Sequence, residues 1–264
     1  MIVIGELINS TRDEIKEKIA ERDKEFIQDV AQKQEKAGAS YIDVNAGAFV
    51  EEEIDHLLWL VEVVQEAVDK PLALDSPSAK ALKAAAEKHE GTPMINSITL
   101  EEERYANVLP IVKEFNAKVI ALCMSDEGMP DDAEDRINYG KKLVDKLIED
   151  GVPAENIFVD PIINPISVDG TVGLQILEAI ETLSNYNEDI HITCGLSNIS
   201  FGLPHRSLLN QAFIVMGISR GMDSAIIDPL DDQMMKLIKA AEVLTNADQH
   251  AMNYLKASRA GELD

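Results

Sequence analysis

Cysteine is nearly missing. The two present, Cys123 and Cys194, suggest neither a disulfide framework nor a zinc site. Positive charge is scarce as well: 24 Lys and Arg stand against 48 Asp and Glu, for a net charge of −24. That field repels nucleic acid and anionic membranes, so neither is an expected partner. No apolar run is long enough to span a bilayer. The start, Ile2-Val3-Ile4, lacks the basic residues, apolar stretch and cleavage site of a secretory signal, so a cytoplasmic protein is expected. There is no G-x-G-x-x-G after the first apolar run and no Walker-type loop, which argues against dinucleotide and nucleoside triphosphate binding. No linker, repeat or low-complexity tract divides residues 1–264, so one domain is expected across them.

What the chain does hold is an alternation of short apolar runs and longer amphipathic ones. The runs Ile2–Gly5, Tyr41–Asn45, Pro71–Leu74, Pro93–Ile95, Val119–Leu122, Ile157–Val159, the stretch opening at His191, and Ala225–Ile227 read as strands. Helical spacing fills Asp23–Ala37, Ile54–Val68, Ser78–His89, Glu101–Phe115, Ala133–Glu149, Val172–Leu183, Leu208–Met216 and Gln233–Leu244. A tail from Asp248 to Asp264 reads as a further helix with a frayed end. Strands joined through helices pair in parallel. About eight such units predict a single (β/α)8 TIM barrel, with an open doubly wound sheet as the alternative.

In such a barrel, chemistry collects where strands end. Glu6, Asn9, Asp43, Asn45, Asp75, Asn96, Asp160, Asn164, Asn198 and Asp228 all fall there. A lone carboxylate beyond a strand can simply cap the next helix, and Asp228 is the strongest case for that reading. Asp75 and Asp160 follow apolar runs directly and are the better site candidates. Many Asp and Asn with few cations suit a neutral heterocycle rich in N–H donors, because carboxylates accept paired N–H bonds and amides donate and accept. A phosphate would want glycine amides or basic groups, and a Schiff-base enzyme a lysine at a strand end. Lys118 begins its strand, at the wrong end. His191 also begins a strand and reads as structural, while His56 and His89 on helices are expected at the surface. No His-rich metal set is formed.

Seven pieces then run in order over nearly the whole chain: Ile4-Gly5-Glu6-Leu7-Ile8-Asn9, Asp43-Val44-Asn45-Ala46-Gly47, Leu74-Asp75-Ser76, Met94-Ile95-Asn96-Ser97, Val159-Asp160-Pro161, Gly195-Leu196-Ser197-Asn198 and Arg206-Ser207-Leu208-Leu209-Asn210. Each is weak alone. Together they resemble the methyltetrahydrofolate:corrinoid methyltransferases, a family that includes enzymes serving corrinoid/iron–sulfur proteins and the folate domain of cobalamin-dependent methionine synthase. The resemblance implies a pterin-binding barrel, usually dimeric. It implies tetrahydrofolate or methyltetrahydrofolate as substrate and a corrinoid (cobalamin) as methyl partner, with no metal ligands in the chain. It places Asp75, Asn96 and Asp160 on the pterin ring and Asn198 near N5, with Asp75 a second catalytic candidate. Glu6 and Asn9 join the folate-binding set, Phe201 would pack on the ring, and Arg206 would reach the folate tail. The cobalamin-module motif Asp-x-His-x-x-Gly is missing, so the corrinoid is expected on a separate carrier protein. Methyl flow in either direction is left open. Two other readings remain: a dihydropteroate synthase-like pterin enzyme, weakened because Asn198 rather than lysine follows Ser197, and a non-catalytic folate-binding protein.

Overall fold

The apolar runs become strands because each is buried on both faces, one against the barrel interior and one against a helix. A computed structural model describes residues 1–263. The strands are β1 (Ile2–Asn9), β2 (Tyr41–Asn45), β3 (Leu72–Asp75), β4 (Met94–Ile98), β5 (Lys118–Leu122), β6 (Ile157–Asp160), β7 (His191–Ile192) and β8 (Ser224–Ile227). They form one parallel sheet in the order β7-β6-β5-β4-β3-β2-β1-β8. The two ends meet: the Ile226 N–H donates to the Cys194 carbonyl at 2.8 Å, which closes the barrel.

The helices are α1 (Asp13–Ala20), α2 (Lys24–Lys36), α3 (Glu53–Gln65), α4 (Ala79–Lys88), α5 (Glu102–Glu114), α6 (Ala133–Glu149), α7 (Val172–Ser184), α8 (Arg206–Ile218), α9 (Asp232–Leu244) and α10 (Met252–Arg259). Side chains cap several of them, satisfying backbone N–H groups that the first turn leaves unpaired. Asp23 accepts from the Phe26 N–H at 3.2 Å, Ser78 from Ala81 at 3.3 Å, Asp132 from Asp135 at 3.0 Å and Asp231 from Met234 at 3.0 Å. The expected tail helix is a 3-10 turn followed by α10, and its last expected residue, Asp264, lies outside the described residues.

Ile4, Ala73, Met94, Ile120 and Phe158 fill the barrel interior as one apolar plug. Side chains two residues apart on a strand share a face. Two residues beyond plug members stand Glu6, Asp75, Asn96 and Asp160, so the layer above the plug is polar. The alternation in β2 turns Tyr41, Asp43 and Asn45 the same way, with Tyr41 packed against the plug. Register sets Asn9 beside Asn45, Asn45 beside Asp75, and Asp75 beside Asn96.

Two expectations need correction. The first strand does not stop at Glu6 but continues to Asn9 through a register shift between Gly5 and Ile8. Buried Gln34 from α2 fills that irregularity, accepting the Leu7 N–H at 3.1 Å, and a Cβ on Gly5 would run into the Gln34 amide oxygen. His56 and His89 are buried rather than on the surface. His89 Nε2 accepts the Leu72 N–H at 3.1 Å, and the His56 ring lies 4.0 Å from that of Phe49. Burial opposes protonation of both rings and holds their pKa values below the usual range. His191 is structural as expected, with Nδ1 2.6 Å from Asp223 and its ring stacked on Phe158.

Candidate active site

A cavity of about 290 Å³ opens above the plug, lined by Glu6, Asn9, Asp43, Asp75, Asn96 and Asn198 together with Thr11, Arg12, Gly195, Ser197 and Ile226. Five strands or their following loops therefore supply polar groups to one space. A larger hollow of about 820 Å³ adjoins it, sharing Glu6, Thr11, Arg12 and Ser197, and extends past Phe201, Arg206 and Asp228.

The carboxylates and amides on the floor are interleaved. Asn45 Nδ2 donates to Asp75 Oδ2 at 2.8 Å, and Asn96 Nδ2 to Asp43 Oδ1 at 3.3 Å. The Asn45 amide is fixed in that sense because its oxygen accepts from Ser10 Oγ at 3.0 Å and from the Gly47 N–H at 2.9 Å. Burial pushes Asp75 up to about 6, opposed by the Asn45 hydrogen bond. Burial also lifts Asp43 well above the carboxylate range, helped by the neighbouring Asp75 and opposed by Asn96. Glu6 is raised by burial too, while the Ser197 hydroxyl and the Arg12 guanidinium pull the other way. The floor thus holds three carboxyl groups that burial shifts toward the protonated form, and Asp75, at about 6, is the one suited to exchange a proton.

Asn198 enters from the other side. The β7–α8 connection forms a 3-10 turn over Leu196–Ser200, and the Asn198 side chain projects from it into the cavity. Its amide makes no hydrogen bond to any described residue, so both its donor and its acceptor are available to a ligand. Ser197, beside it, donates to Glu6 at 2.9 Å.

The predicted site residues divide into three places. Glu6, Asn9, Asp75, Asn96 and Asn198 line the inner cavity. Phe201 and Arg206 line the outer hollow, with Phe201 63% exposed and the Arg206 guanidinium 5.9 Å from its ring. Asp160 is not on the cavity wall; it is buried behind Gly195, held by the Ile162 N–H at 2.8 Å and by the Gly195 N–H, and burial pushes it up to about 6.

The sequence placed Asp43 and Asn45 among the groups near strand ends without giving either a specific role, and it gave none to Arg12 or Arg104. Asn45 ends β2, and Asp43 stands two residues before it on the same face. Arg12 lies beyond β1, and its contact with Glu6 at 2.7 Å brings a cation into a mouth expected to be poor in them. Arg104 comes from α5 and donates to the carbonyls of Ser97 and Ser76, both at 2.9 Å, which fixes the ends of β4 and β3 from behind. Among the described residues, no group of His, Cys, Asp and Glu is placed to hold a metal ion.

Residues 5–228 match the family model described as pterin binding enzyme. Over 265 aligned positions the chain is 37% identical to a methylcorrinoid:tetrahydrofolate methyltransferase of Eubacterium limosum, covering 100% of this chain and 98% of that protein. It is 29% identical to the methionine synthase of Mycobacterium tuberculosis over 86% of this chain, which spans 20% of that longer protein. Among solved structures, the dihydropteroate synthase of Xanthomonas albilineans has a TM-score of 0.71 at 18% identity, covering 94% of this chain and 93% of the other, a likeness of fold alone. With most of its length matched by the family model, and its full length by a relative, the chain belongs to the pterin-binding enzymes, in the methyltetrahydrofolate:corrinoid methyltransferase family.

Proposed function

We propose that the protein moves a methyl group from the cobalt of a methylcorrinoid, carried by a separate protein, to N5 of tetrahydrofolate. The observation that carries this reading is the convergence of Asp75, Asn96 and Asn198 in one cavity of a chain so similar, end to end, to a methyltransferase named for that reaction. That relative's name also supports the direction of transfer.

In the proposed step the N5 lone pair forms the N–CH3 bond. The Co–C bond breaks with its electron pair going to cobalt, leaving cob(I)amide, and N5 loses its proton. Asp75 and Asn96 hold the donor-rich pyrimidine edge of the pterin, and Asp160, set deeper, supports the same end. Asn198 hydrogen-bonds at N5, where charge changes most. An interaction that strengthens there in the transition state speeds the reaction, whereas one equal in both states only binds. Asp75, with a pKa of about 6, receives that proton through solvent or an extended hydrogen-bond network and not directly from N5. The outer hollow leaves room for the rest of the folate and for the approaching corrinoid.

The proposal includes a homodimer. Helix α8 carries no charged residue between Arg206 and Arg220 in a strongly acidic chain, and leaves Leu208 66% and Met216 45% exposed. A neutral apolar face is where two like-charged copies can meet. Sedimentation at micromolar concentration should show a dimer, and a charged substitution at Leu208 should shift it to monomer.

The function is tested by incubating the protein with methylcobalamin bearing a labelled methyl group and with tetrahydrofolate, under anaerobic conditions. Labelled methyltetrahydrofolate is the expected product. Tight tetrahydrofolate binding without labelled product would favour the non-catalytic reading.

A further inference from the structure

We infer that Arg206 and Glu6 form a clamp on the turn that carries Asn198, so that Arg206 positions a reacting group and does not serve as a receptor for the folate tail. The inference rests on the proposed methyl transfer for its kinetic consequence, but its structural part stands alone.

The turn is gripped from two sides. From α8, Arg206 Nη2 donates to the Ser197 carbonyl at 2.6 Å, and its Nε donates to Ser200 Oγ at 3.1 Å. From β1, Glu6 accepts the Ser197 hydroxyl, with its two oxygens at 2.9 and 3.1 Å. Glu6 is in turn fixed by Arg12 Nη2 at 2.7 Å. Ser197 is therefore held at its carbonyl by one element and at its side chain by another, immediately before Asn198. Both grips are charge-assisted, and such bonds are about twice as strong as neutral ones.

The surroundings argue against a tail receptor. A glutamate tail brings carboxylates and wants a free cation. The two cations lining the outer hollow, Arg12 and Arg206, are both already engaged with protein acceptors. Its other charged lining groups, Asp228 and Asp231 besides Glu6, are acidic and would repel a carboxylate. A planar guanidinium that bridges two acceptors of one turn is a fixed brace. Free Asn198, by contrast, has no brace of its own. Without the clamp it would sample positions away from N5, and an error of about 1 Å at a reacting group can reduce rate by about a hundredfold.

The test compares the wild type with Arg206→Ala and Arg206→Lys, using tetrahydrofolate and a tetrahydropterin that lacks the aminobenzoyl-glutamate tail, with methylcobalamin as donor. A clamp predicts that kcat falls by the same large factor for both acceptors, with little change in the dissociation constant of either. It also predicts partial rescue by lysine, which keeps the charge but not the bridge. A tail receptor predicts loss of affinity for tetrahydrofolate alone and no effect on the tail-less compound, and that result would overturn the inference. Hydrogen exchange of residues 195–203 gives a readout independent of turnover. Faster exchange in Arg206→Ala and in Glu6→Gln supports the clamp, and unchanged exchange in both refutes it. If wild type shows no methyl transfer, the functional proposal fails, and the exchange result still decides whether the clamp exists.

Discussion

Asn45 donates from Nδ2 to Asp75 at 2.8 Å, and its own carbonyl is held by Ser10 and Gly47. The amide therefore has one orientation, and Asp75 is offered a donor and not a second carbonyl. Asn45→Asp would replace that donor with a negative charge. It should raise the pKa of Asp75 above its value of about 6 and weaken tetrahydrofolate binding at neutral pH. Titration calorimetry across pH, comparing wild type and variant, checks both effects.

Asp75 itself should govern the pH dependence of binding. Its pKa of about 6 means that it is ionised above that pH and protonated below. A pterin edge offering N–H groups prefers the carboxylate, so affinity should fall as pH drops through about 6. Asp75→Asn should flatten this profile and cost roughly 1.5–3 kcal/mol at neutral pH, the usual range for a hydrogen bond to a charged group. A variant that keeps the wild-type profile would mean that Asp75 does not face the ring.

Asn198→Ala separates binding from chemistry. Because the Asn198 amide has no partner among the described residues, its removal leaves no other group unsatisfied. Folding should be unaffected. The single-turnover rate should drop by about a hundredfold, the scale seen for one lost transition-state hydrogen bond, while tetrahydrofolate affinity changes little. Equal losses in both would place Asn198 among simple binding groups.

Asp160 allows a stability test. Burial raises it from 3.8 to about 6, so the folded state holds its proton more tightly than the unfolded state. Its contribution to stability is complete below the unfolded value and is lost as pH rises through about 6. The difference amounts to roughly 3 kcal/mol. Asp160→Asn can still accept the Ile162 N–H without ionising. The variant should lose less stability than wild type between about pH 4 and about pH 8 in denaturant titrations. Parallel curves would contradict the assignment of burial as the cause.

The barrel, and the placing of half of the candidate site residues around one cavity, could be read from the chain because both follow local rules. Asp75 and Asn96 end apolar runs, and their place two residues beyond Ala73 and Met94 turns them inward with the plug. Asn198 was legible because a glycine releases the chain just before it. What escaped were features set by distance. Ser197 meets Glu6 across 191 residues, Arg104 reaches back from α5 to β3 and β4, and His89 caps a strand it does not belong to. Helix α1 escaped for another reason: it buries only Ile15 and Ile19 among charged neighbours, too short a stripe to register as a period. The end of β1 was hidden by its bulge, whose filler, Gln34, lies on α2.

The central claim is that one cup of carboxylates and amides presents N5 of a reduced pterin to a corrinoid methyl group. It is tested most directly by mixing the protein anaerobically with methylcobalamin and tetrahydrofolate and following the visible spectrum. The account predicts growth of the cob(I)alamin band in step with methyltetrahydrofolate, and its near loss in Asn198→Ala. A spectrum that stays that of methylcobalamin, with tetrahydrofolate bound at saturation, would contradict it.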